Sequence, residues 1–309
     1  KSPEGVRFLR RRLDYKRAML YFTQPSTRTF LSFYSACEML GLGVGEVRDR
    51  STSSEYKGES AEDSVRTFSS YFDLIVMRSE IGGLAERMAW LLSNSERPVP
   101  IINAGSGKDQ HPTQALLDIY TLQRSFERRG GIDGKTIVFV GDLLRGRTVR
   151  SLSMLLANYR DVRQVFVAPD ELQVGADIQG FLRGENADFR LTGDFRSVIP
   201  EADAIYMTRV QDEWDEHKGD SKKTEIDNYR FTVECLDSLK ADAVVMHPLP
   251  RREEIAPEVD SDRRAVYCRQ MRNGMWVRTA LIATIFGKDN EINDYCQTRS
   301  RGLEEPLPQ

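Results

Sequence analysis

The sequence predicts an α/β fold made of two doubly wound domains. Short apolar runs rich in Val, Ile and aromatic residues alternate along the chain with longer amphipathic runs, which is the pattern of buried parallel strands and the helices that cover them. The chain has 309 residues, more than one hydrophobic core usually organises, and this length favours two domains. Right-handed crossovers then put helices on both faces of mostly parallel sheets.

The predicted strands are short runs in which aliphatic and aromatic residues follow one another with few charges. They cover residues 18–22, 73–78, 99–104, 136–142, 162–169, 204–210 and 243–250. Between them lie amphipathic segments such as TQALLDIYTLQRSF and TVRSLSMLLANY. Their apolar residues recur every three or four positions, which predicts helices.

Two segments indicate where the domains meet and where order ends. ERRGGIDGK, residues 127–135, is rich in turn residues and precedes a new predicted strand, so we place the linker there. After Gly287 the chain is polar and charged and ends in EEPLPQ. This composition offers little apolar surface to bury, and we expect the tail to be mobile.

Composition excludes several classes of protein. Lys+Arg number 44 and Asp+Glu 47, and the net charge of -3 gives no broad basic field for nucleic acid. No run in the sequence approaches the roughly 20 apolar residues that a membrane helix needs. The chain starts at Lys1 without an apolar signal segment, and we expect a soluble, cytoplasmic protein.

The cysteines and histidines form no metal-binding pattern. There is no CxxC and no HxxxH, so a zinc site is not expected, and we expect reduced thiols. The residues concerned are Cys37, Cys235, Cys268, Cys296, His111, His217 and His247.

Polar residues cluster where the predicted strands end. In doubly wound sheets, ligands bind beyond the carboxyl ends of the strands, where loops turn into helices. The segments at these ends are QPSTRT with Arg28, MRS with Arg78, NAGSGKDQHPTQ with His111 and Gln114, GDLLRGRT with Arg147, TRVQ with Arg209 and Gln211, and HPLPR. Positive charge and fixed hydrogen-bond donors are therefore expected to converge where the strands end, at an edge that we call the rim.

The stretch QPSTRTF, residues 24–30, joins a predicted strand to a predicted helix and allows two interpretations. If Ser26 or Thr27 begins the helix, the first-turn N–H groups, the hydroxyls and the Arg28 guanidinium form a concave site that suits a phosphate. The alternative is an ordinary helix cap made by a hydroxyl side chain. This stretch alone does not separate the two.

Two glycine-rich stretches mimic nucleotide-binding motifs. GLGVGEV, residues 41–47, closes a helix instead of following a strand, and we interpret it as a glycine C-cap and turn. GDLLRGRT, residues 141–148, has P-loop spacing but carries Arg147 where lysine should stand. An arginine fork suits a carboxylate, and no strand supplies an obvious magnesium-binding acid, which disfavours a nucleotide triphosphatase.

The order of the short motifs resembles a known family. STRT, KGES, HPTQ, GRTV, TRVQ and HPLPR follow one another over about residues 16–287 in the manner of catalytic chains of the aspartate carbamoyltransferase family. The resemblance implies that the α-amine of L-aspartate attacks the carbonyl of carbamoyl phosphate. The products would be N-carbamoyl-L-aspartate and phosphate, in pyrimidine biosynthesis. No metal and no organic cofactor are implied.

The resemblance also implies roles for the residues on the rim. At the phosphate it implies Ser26, Thr27, Arg28 and Thr29; at the carbamoyl oxygen Thr29, Arg78 and His111; and at the carbamoyl nitrogen Gln114 with the carbonyls of Pro248 and Leu249. For the aspartate carboxylates it implies Arg147, Thr148, Arg209 and Gln211. Ser53 and Lys57 would reach the active site of an adjacent subunit, where Lys57 would bind both substrates.

Taken singly, these motifs have ordinary alternatives. TRVQ would be an exposed polar strand end, His111 a structural hydrogen bonder and STSSEYKGES a solvated loop. HPLPR would be an ordinary trans loop, whereas the resemblance implies a cis peptide before Pro250. The acceptor of the amine proton stays open among the leaving phosphate, His111 and solvent.

The resemblance implies a carbamoyl-phosphate-binding domain of residues 1–125 and 274–309 and an aspartate-binding domain of residues 126–273, because the helix with MWVRTALIATIFG returns to the first domain. It implies a homotrimer with shared active sites. A regulatory subunit, or other pyrimidine enzymes as partners, is left open. Two other functions remain: a transcarbamylase for ornithine or a derivative, which would need an acceptor for a cation near Arg209, and a catalytically silent structural or regulatory relative.

Overall fold

The computed structural model describes residues 2–49, 54–107, 110–210 and 227–304. The chain divides into two compact units, one of residues 1–107 with 275–309 and the other of residues 108–274. Each unit contains a parallel sheet with helices, which confirms the predicted fold class. None of the helices in the described ranges combines the length and apolarity that crossing a bilayer requires.

The first unit is built on a parallel sheet that is covered on both faces. Its strands are β1 (Arg17–Phe22), β2 (Gly43–Val47), β3 (Leu74–Ser79) and β4 (Ile101–Ser106), and its helices include α1 (Pro3–Arg10), α2 (Thr27–Leu40), α3 (Ala61–Tyr71) and α4 (Leu84–Ser93). The described strands pair in the order β2-β1-β3-β4. Leu20 and Val76 pack into one core, whereas Tyr21 and Met77 pack into another on the opposite face.

The second unit repeats this plan with one more described strand. Its strands are β5 (Thr136–Val140), β6 (Arg163–Val167), β7 (Asp188–Thr192), β8 (Ala204–Met207) and β9 (Val244–Met246), and its helices include α5 (Pro112–Phe126), α6 (Arg147–Leu156), α7 (Ala176–Gly184), α8 (Phe195–Val198) and α9 (Val233–Ser238). The order is β7-β6-β5-β8-β9. Phe139 packs into one core of this unit and Val138 into the other.

The chain returns to the first unit through one long helix. Helix α10 (Tyr267–Ile285) begins in the second unit, and its Ile282 and Ala283 belong to a core of the first, which confirms the predicted return. The prediction of a mobile tail is wrong for the next segment, because α11 (Asp289–Glu304) is helical. Its Tyr295 stacks on Phe8 of α1 with ring centroids 3.9 Å apart. The apolar partner that the tail composition lacks is thus supplied by the other end of the chain.

Sequence reasoning missed β2 and β7, each of which lies at one edge of its sheet. Every residue of their sequences, GVGEV and DFRLT, is partly or fully exposed, so they lack the continuous apolar signal of a central strand. The interpretation of GLGVGEV is confirmed at its start. Gly41 ends α2 in the left-handed conformation with φ of 89°.

Among the described strands, each sheet has a point where the direction of winding reverses. In the first sheet it lies between β1 and β3, and in the second between β5 and β8. Loops that leave the carboxyl ends of such strands diverge to opposite faces and open a crevice for ligands. QPSTRT follows β1 and MRS forms the carboxyl end of β3, whereas GDLLRGRT follows β5 and TRV follows β8.

Candidate active site

In the first unit, the strands at the switch point bring two predicted anion-binding segments side by side. Phe22 of β1 pairs with Arg78 of β3. The backbone N–H groups of Thr23 and Gln24 donate to the Arg78 carbonyl at 3.0 and 3.4 Å. The chain entering α2 is therefore anchored to the end of β3.

The start of α2 lacks the side-chain cap of the ordinary interpretation. Ser26 is the N-cap in extended backbone conformation, but its side chain makes no capping hydrogen bond. The first turn contains no acidic residue, so nothing in it neutralises the positive end of the helix dipole. Arg28 is exposed in this turn and Thr29 is buried. These features suit an anion such as phosphate.

Arg78 is a buried cation at the same rim. Its side chain is 7 % exposed, and its Nη1 donates to the Ala104 carbonyl of β4 at 3.1 Å. This bond holds the guanidinium at the carboxyl ends of β3 and β4. Lys57 ends a short 3₁₀ turn, Ser54–Lys57, and is exposed. Ser53 and Gln211 lie outside the described residues.

In the second unit, the HPTQ motif forms the start of α5. His111 is the N-cap, Pro112 occupies the first helical position, and the His111 N–H donates to Ser151 Oγ of α6 at 3.1 Å. Gln114 lies in the first turn and its Nε2 donates to Asp118 Oδ1 at 2.9 Å. Both predicted residues are nearly buried, at 4 % and 9 % exposure, so their positions are set by packing.

The predicted aspartate-binding arginines follow the two strands at the second switch point. Val140 of β5 pairs with Met207 of β8, so the loops after them leave from adjacent strand ends. Arg147 is the first residue of α6, and Arg209 lies two residues after β8 with its Nη1 donating to the Val210 carbonyl at 2.9 Å. Both arginines are half-buried. Gly141 makes the close approach of these loops feasible, since a Cβ there would lie 2.3 Å from the Thr208 carbonyl oxygen.

The HPLPR motif begins right after β9, the neighbour of β8. The Leu249–Pro250 peptide bond is cis, as predicted. The Leu249 N–H donates to His247 Nδ1 at 2.7 Å, so the imidazole proton is on Nε2, which lies 2.7 Å from Glu254 Oε1. Burial lowers the pKa of His247 despite the carboxylate beside it. Burial opposes the ionisation of Glu254, but its hydrogen bonds with His247 and backbone N–H groups leave its pKa lowered. The pair is therefore a neutral imidazole donating to a carboxylate.

Sequence reasoning missed the buried polar residues behind HPTQ and HPLPR. Asp118 is fully buried on α5 and accepts from Gln114, from Tyr206 of β8 and from Gln270 of α10. Gln270 in turn accepts from the His247 N–H at 2.9 Å. Thr148 also hydrogen-bonds the Tyr206 hydroxyl, whose pKa is raised by burial and by Asp118. In sequence, Asp118 resembled any polar residue of an amphipathic helix.

In each unit, part of the predicted site lies at the switch point of the sheet. In the first unit these residues are Ser26, Thr27, Arg28 and Thr29 after β1 and Arg78 near the end of β3, and in the second they are Arg147, Thr148 and Arg209 after β5 and β8. His111 and Gln114 begin α5, and Pro248 and Leu249 follow β9. A doubly wound sheet with guanidinium groups and helix-start amides at its switch point is typical of enzymes that bind small anionic substrates. Within the described residues, no group of three or more His, Cys, Asp or Glu could hold a metal ion.

Comparison with known proteins gives the family. A family model for the aspartate/ornithine carbamoyltransferase carbamoyl-P binding domain matches residues 4–124, and one for the Asp/Orn binding domain matches residues 133–285. The chain therefore belongs to the aspartate/ornithine carbamoyltransferase family. The domain limits predicted from the sequence stay a prediction. The compact units divide at Gly107, whereas the first family model continues through most of α5.

Individual relatives agree with this assignment. The chain is 42 % identical over 269 residues to a chloroplastic aspartate carbamoyltransferase of Oryza sativa, covering 87 % of this chain and 72 % of that protein. It is 43 % identical over 269 residues to an aspartate carbamoyltransferase catalytic subunit of Finegoldia magna, covering 86 % and 84 %. Among solved structures, it resembles the catalytic subunit of M. jannaschii aspartate transcarbamoylase, with a TM-score of 0.79, 36 % identity and 93 % of both chains covered.

A second solved structure carries ligands. Aspartate transcarbamoylase from Trypanosoma cruzi in complex with carbamoyl aspartate and phosphate matches with a TM-score of 0.78 and 36 % identity, covering 86 % of this chain and 83 % of that one. The same enzyme has been solved with carbamoyl phosphate and aspartate. Each of these structural relatives is named an aspartate transcarbamoylase.

Proposed function

We propose that this chain is an aspartate carbamoyltransferase, which transfers the carbamoyl group of carbamoyl phosphate to the α-amine of L-aspartate. The products are N-carbamoyl-L-aspartate and phosphate, and the reaction is a step of pyrimidine biosynthesis. One observation carries the proposal: family motifs follow strand ends beside the switch points of both sheets, with STRT after β1 in the first sheet and GRTV and TRV after β5 and β8 in the second. The names and bound ligands of the relatives support the choice of substrates.

The first unit supplies the groups that suit carbamoyl phosphate. Ser26, Thr27, Arg28 and Thr29 at the start of α2 would hold the phosphate. As the C–N bond forms and the C–O bond to phosphate breaks, the electron pair leaves with the phosphate, and Arg28 would stabilise its growing charge. Donors aimed at developing charge typically contribute a factor of about 10² to 10³ each.

The carbamoyl group itself presents an oxygen and a nitrogen. Thr29, Arg78 and His111 would donate to the oxygen, where negative charge collects in the tetrahedral intermediate. Gln114 and the carbonyls of Pro248 and Leu249 would accept from the nitrogen. Burial of Arg78 and His111 supports these roles, because a donor with a fixed orientation needs no reorganisation during the reaction.

The second unit supplies the groups that suit a dicarboxylate. Arg147 and Arg209, with Thr148 and Gln211, would bind the two carboxylates of aspartate. The pairing of β5 with β8 supports this role, because it gives the two arginines adjacent starting points. Arginine forks bind carboxylates in a bidentate manner, which also orients the amine for attack.

A carbamoyl-transfer assay with aspartate and ornithine side by side tests the function. We expect carbamoyl aspartate from the first and no product from the second. Citrulline from ornithine alone would select the other branch of the family. No product from either substrate would indicate a catalytically silent relative and overturn the proposal.

We further propose a homotrimer in which Ser53 and Lys57 enter the active site of an adjacent subunit. The exposure of Lys57 at the end of its turn supports this role. An inactive Arg28→Ala chain mixed with an inactive Lys57→Ala chain should regain part of the activity, because hybrid trimers contain intact sites. No recovery after demonstrated subunit exchange would contradict shared sites. A cytoplasmic location stays a prediction.

A further inference from the structure

A buried carboxylate stands directly behind Gln114. Asp118 lies one helical turn further along α5 and is 0 % exposed. Its Oδ1 accepts from Gln114 Nε2 at 2.9 Å and from Gln270 Nε2 at 2.7 Å, and its Oδ2 accepts from the Tyr206 hydroxyl at 2.7 Å. Three donors from three different elements therefore converge on one carboxylate.

The chemistry of these groups fixes which way each amide points. Tyr206 has a single hydroxyl proton, and its raised pKa keeps that proton on the oxygen, so the hydroxyl donates to Asp118. Gln270 is oriented independently, because its Oε1 accepts from the His247 N–H at 2.9 Å and its NH₂ must then face Asp118. A carboxylate only accepts, so Gln114 must also turn its NH₂ toward it.

The Gln114 NH₂ group thus has its partner inside the unit, at Asp118. The Gln114 side chain also interacts with the Tyr206 hydroxyl. The amide atom left to face a ligand is Oε1, which is an acceptor. Without the carboxylate, either end of the amide could face the ligand.

We propose that Asp118 is a positioning residue that fixes the Gln114 amide so that the site offers an acceptor, and that this selects acyl phosphates carrying NH₂ over those carrying CH₃. The inference rests on the proposed function, since it concerns the group that binds the carbamoyl nitrogen. Carbamoyl phosphate and acetyl phosphate have nearly the same shape and differ at this position. An acceptor oxygen forms a hydrogen bond with the NH₂ group of carbamoyl phosphate. If the Gln114 amide were turned the other way, its own NH₂ group would face that NH₂ group, and two donors would repel each other.

Asp118→Asn tests the proposal, because it keeps the shape and replaces one acceptor oxygen with an NH₂ group. Gln114 can relieve the resulting clash of donors by turning its amide. The measured quantity is kcat/KM for carbamoyl phosphate divided by kcat/KM for acetyl phosphate, whose acetyl group would pass to the aspartate amine with release of phosphate. We expect this ratio to fall about tenfold, the worth of one hydrogen bond. Equal losses with both donors would overturn the proposal.

Thr121→Val is the matched control. Thr121 is also fully buried on α5, and its hydroxyl accepts from Asn273 Nδ2 of α10 at 2.9 Å, away from Gln114. A structural loss of the same kind should lower both activities and leave the ratio unchanged. Gln114→Met completes a double-mutant cycle. When Gln114 is already Met, adding Asp118→Asn should no longer change the ratio of the two kcat/KM values. If the two substitutions change this ratio independently, the proposal is contradicted.

The wild-type chain distinguishes failure of the proposed function from failure of this inference, and a milder variant covers the case in which Asp118→Asn does not fold. Absence of carbamoyl transfer in the wild type overturns the proposed function and this inference with it. An active wild type with an unchanged ratio in Asp118→Asn overturns the inference alone. If Asp118→Asn does not fold, Tyr206→Phe decides, because it removes one donor to Asp118 and keeps the ring. We expect the ratio to fall about threefold, which is less than the effect of losing one full hydrogen bond. An unchanged ratio in Tyr206→Phe would overturn the proposal.

Discussion

Both units place polar groups of the candidate site beyond the ends of strands, but they hold them differently. At the start of α2 in the first unit, Arg28 is exposed and Ser26 makes no side-chain cap, so the helix N-terminus itself forms the site. In the second unit, Gln114 and His247 are tied to buried Asp118 and Glu254 by hydrogen bonds between side chains. The site groups of the first unit are a helix N-terminus and nearby cations, whereas those of the second unit are held in place by a buried network of polar side chains.

This difference suggests separate consequences for activity and stability. A buried carboxylate or imidazole that loses a partner retains its desolvation cost, so changes in the second unit should affect folding as well as catalysis. An exposed arginine at a helix start carries no such cost. Changes there should affect catalysis and leave the free energy of unfolding nearly unchanged.

The largest effect should come from Arg28→Ala. Its contact strengthens as charge moves to the departing phosphate, so we expect kcat to fall by about 10² to 10³. The midpoint of urea unfolding should stay within the error of the measurement, because Arg28 is exposed. A clear loss of stability in Arg28→Ala would show that the first unit, like the second, couples its site residues to folding.

Arg209→Ala should have the next largest effect, and on a different constant. A charge-assisted hydrogen bond contributes about 1.5 to 3 kcal/mol, so we expect the KM for aspartate to rise roughly 10- to 150-fold. The KM for carbamoyl phosphate should change little, with some loss of kcat from misorientation of the amine. An equal rise in both constants would mean that the units do not divide the substrates between them.

Gly141→Ala tests how tightly the second rim is built. Gly141 has φ of +114°, and a Cβ there would meet the Thr208 carbonyl oxygen at 2.3 Å. We expect a loss of about 1 to 3 kcal/mol in the free energy of unfolding. The control is Gly180→Ala in α7, where a Cβ meets nothing within 4 Å. Helix propensity there favours alanine by about 0.5 to 1 kcal/mol, so the two substitutions should have opposite signs in thermal melts.

The smallest effect should be a pH dependence confined to the second unit. Burial lowers the pKa of His247 from its ordinary value of 6.5. Just below that pH, His247 is therefore protonated in the unfolded chain but still neutral in the folded chain. Stability should therefore fall as pH drops below about 6.5, down through the lowered pKa. His247→Gln should flatten the stability curve between about pH 7.5 and 5.5, a range above the carboxyl pKa values. The same slope in wild type and variant would contradict this origin.

Much of the fold could be predicted from sequence, and the misses share a cause. Central strands such as β3 are buried on both faces and therefore read as continuous apolar runs. Edge strands β2 and β7 contain no buried residue, unlike the edge strands β4 and β9, so their apolar signal is weak. Helix α11 was missed because Tyr295 gains its partner from Phe8, at the opposite end of the chain.

The sequence by itself determined the alternation of strand and helix, and the motifs that end at the rims, because these depend on neighbours in the chain. The tertiary structure alone decided what stands behind those motifs. Asp118 meets Tyr206 and Gln270, which are 88 and 152 positions away. No local pattern encodes such contacts, because a buried carboxylate is stable only where folding brings its donors together.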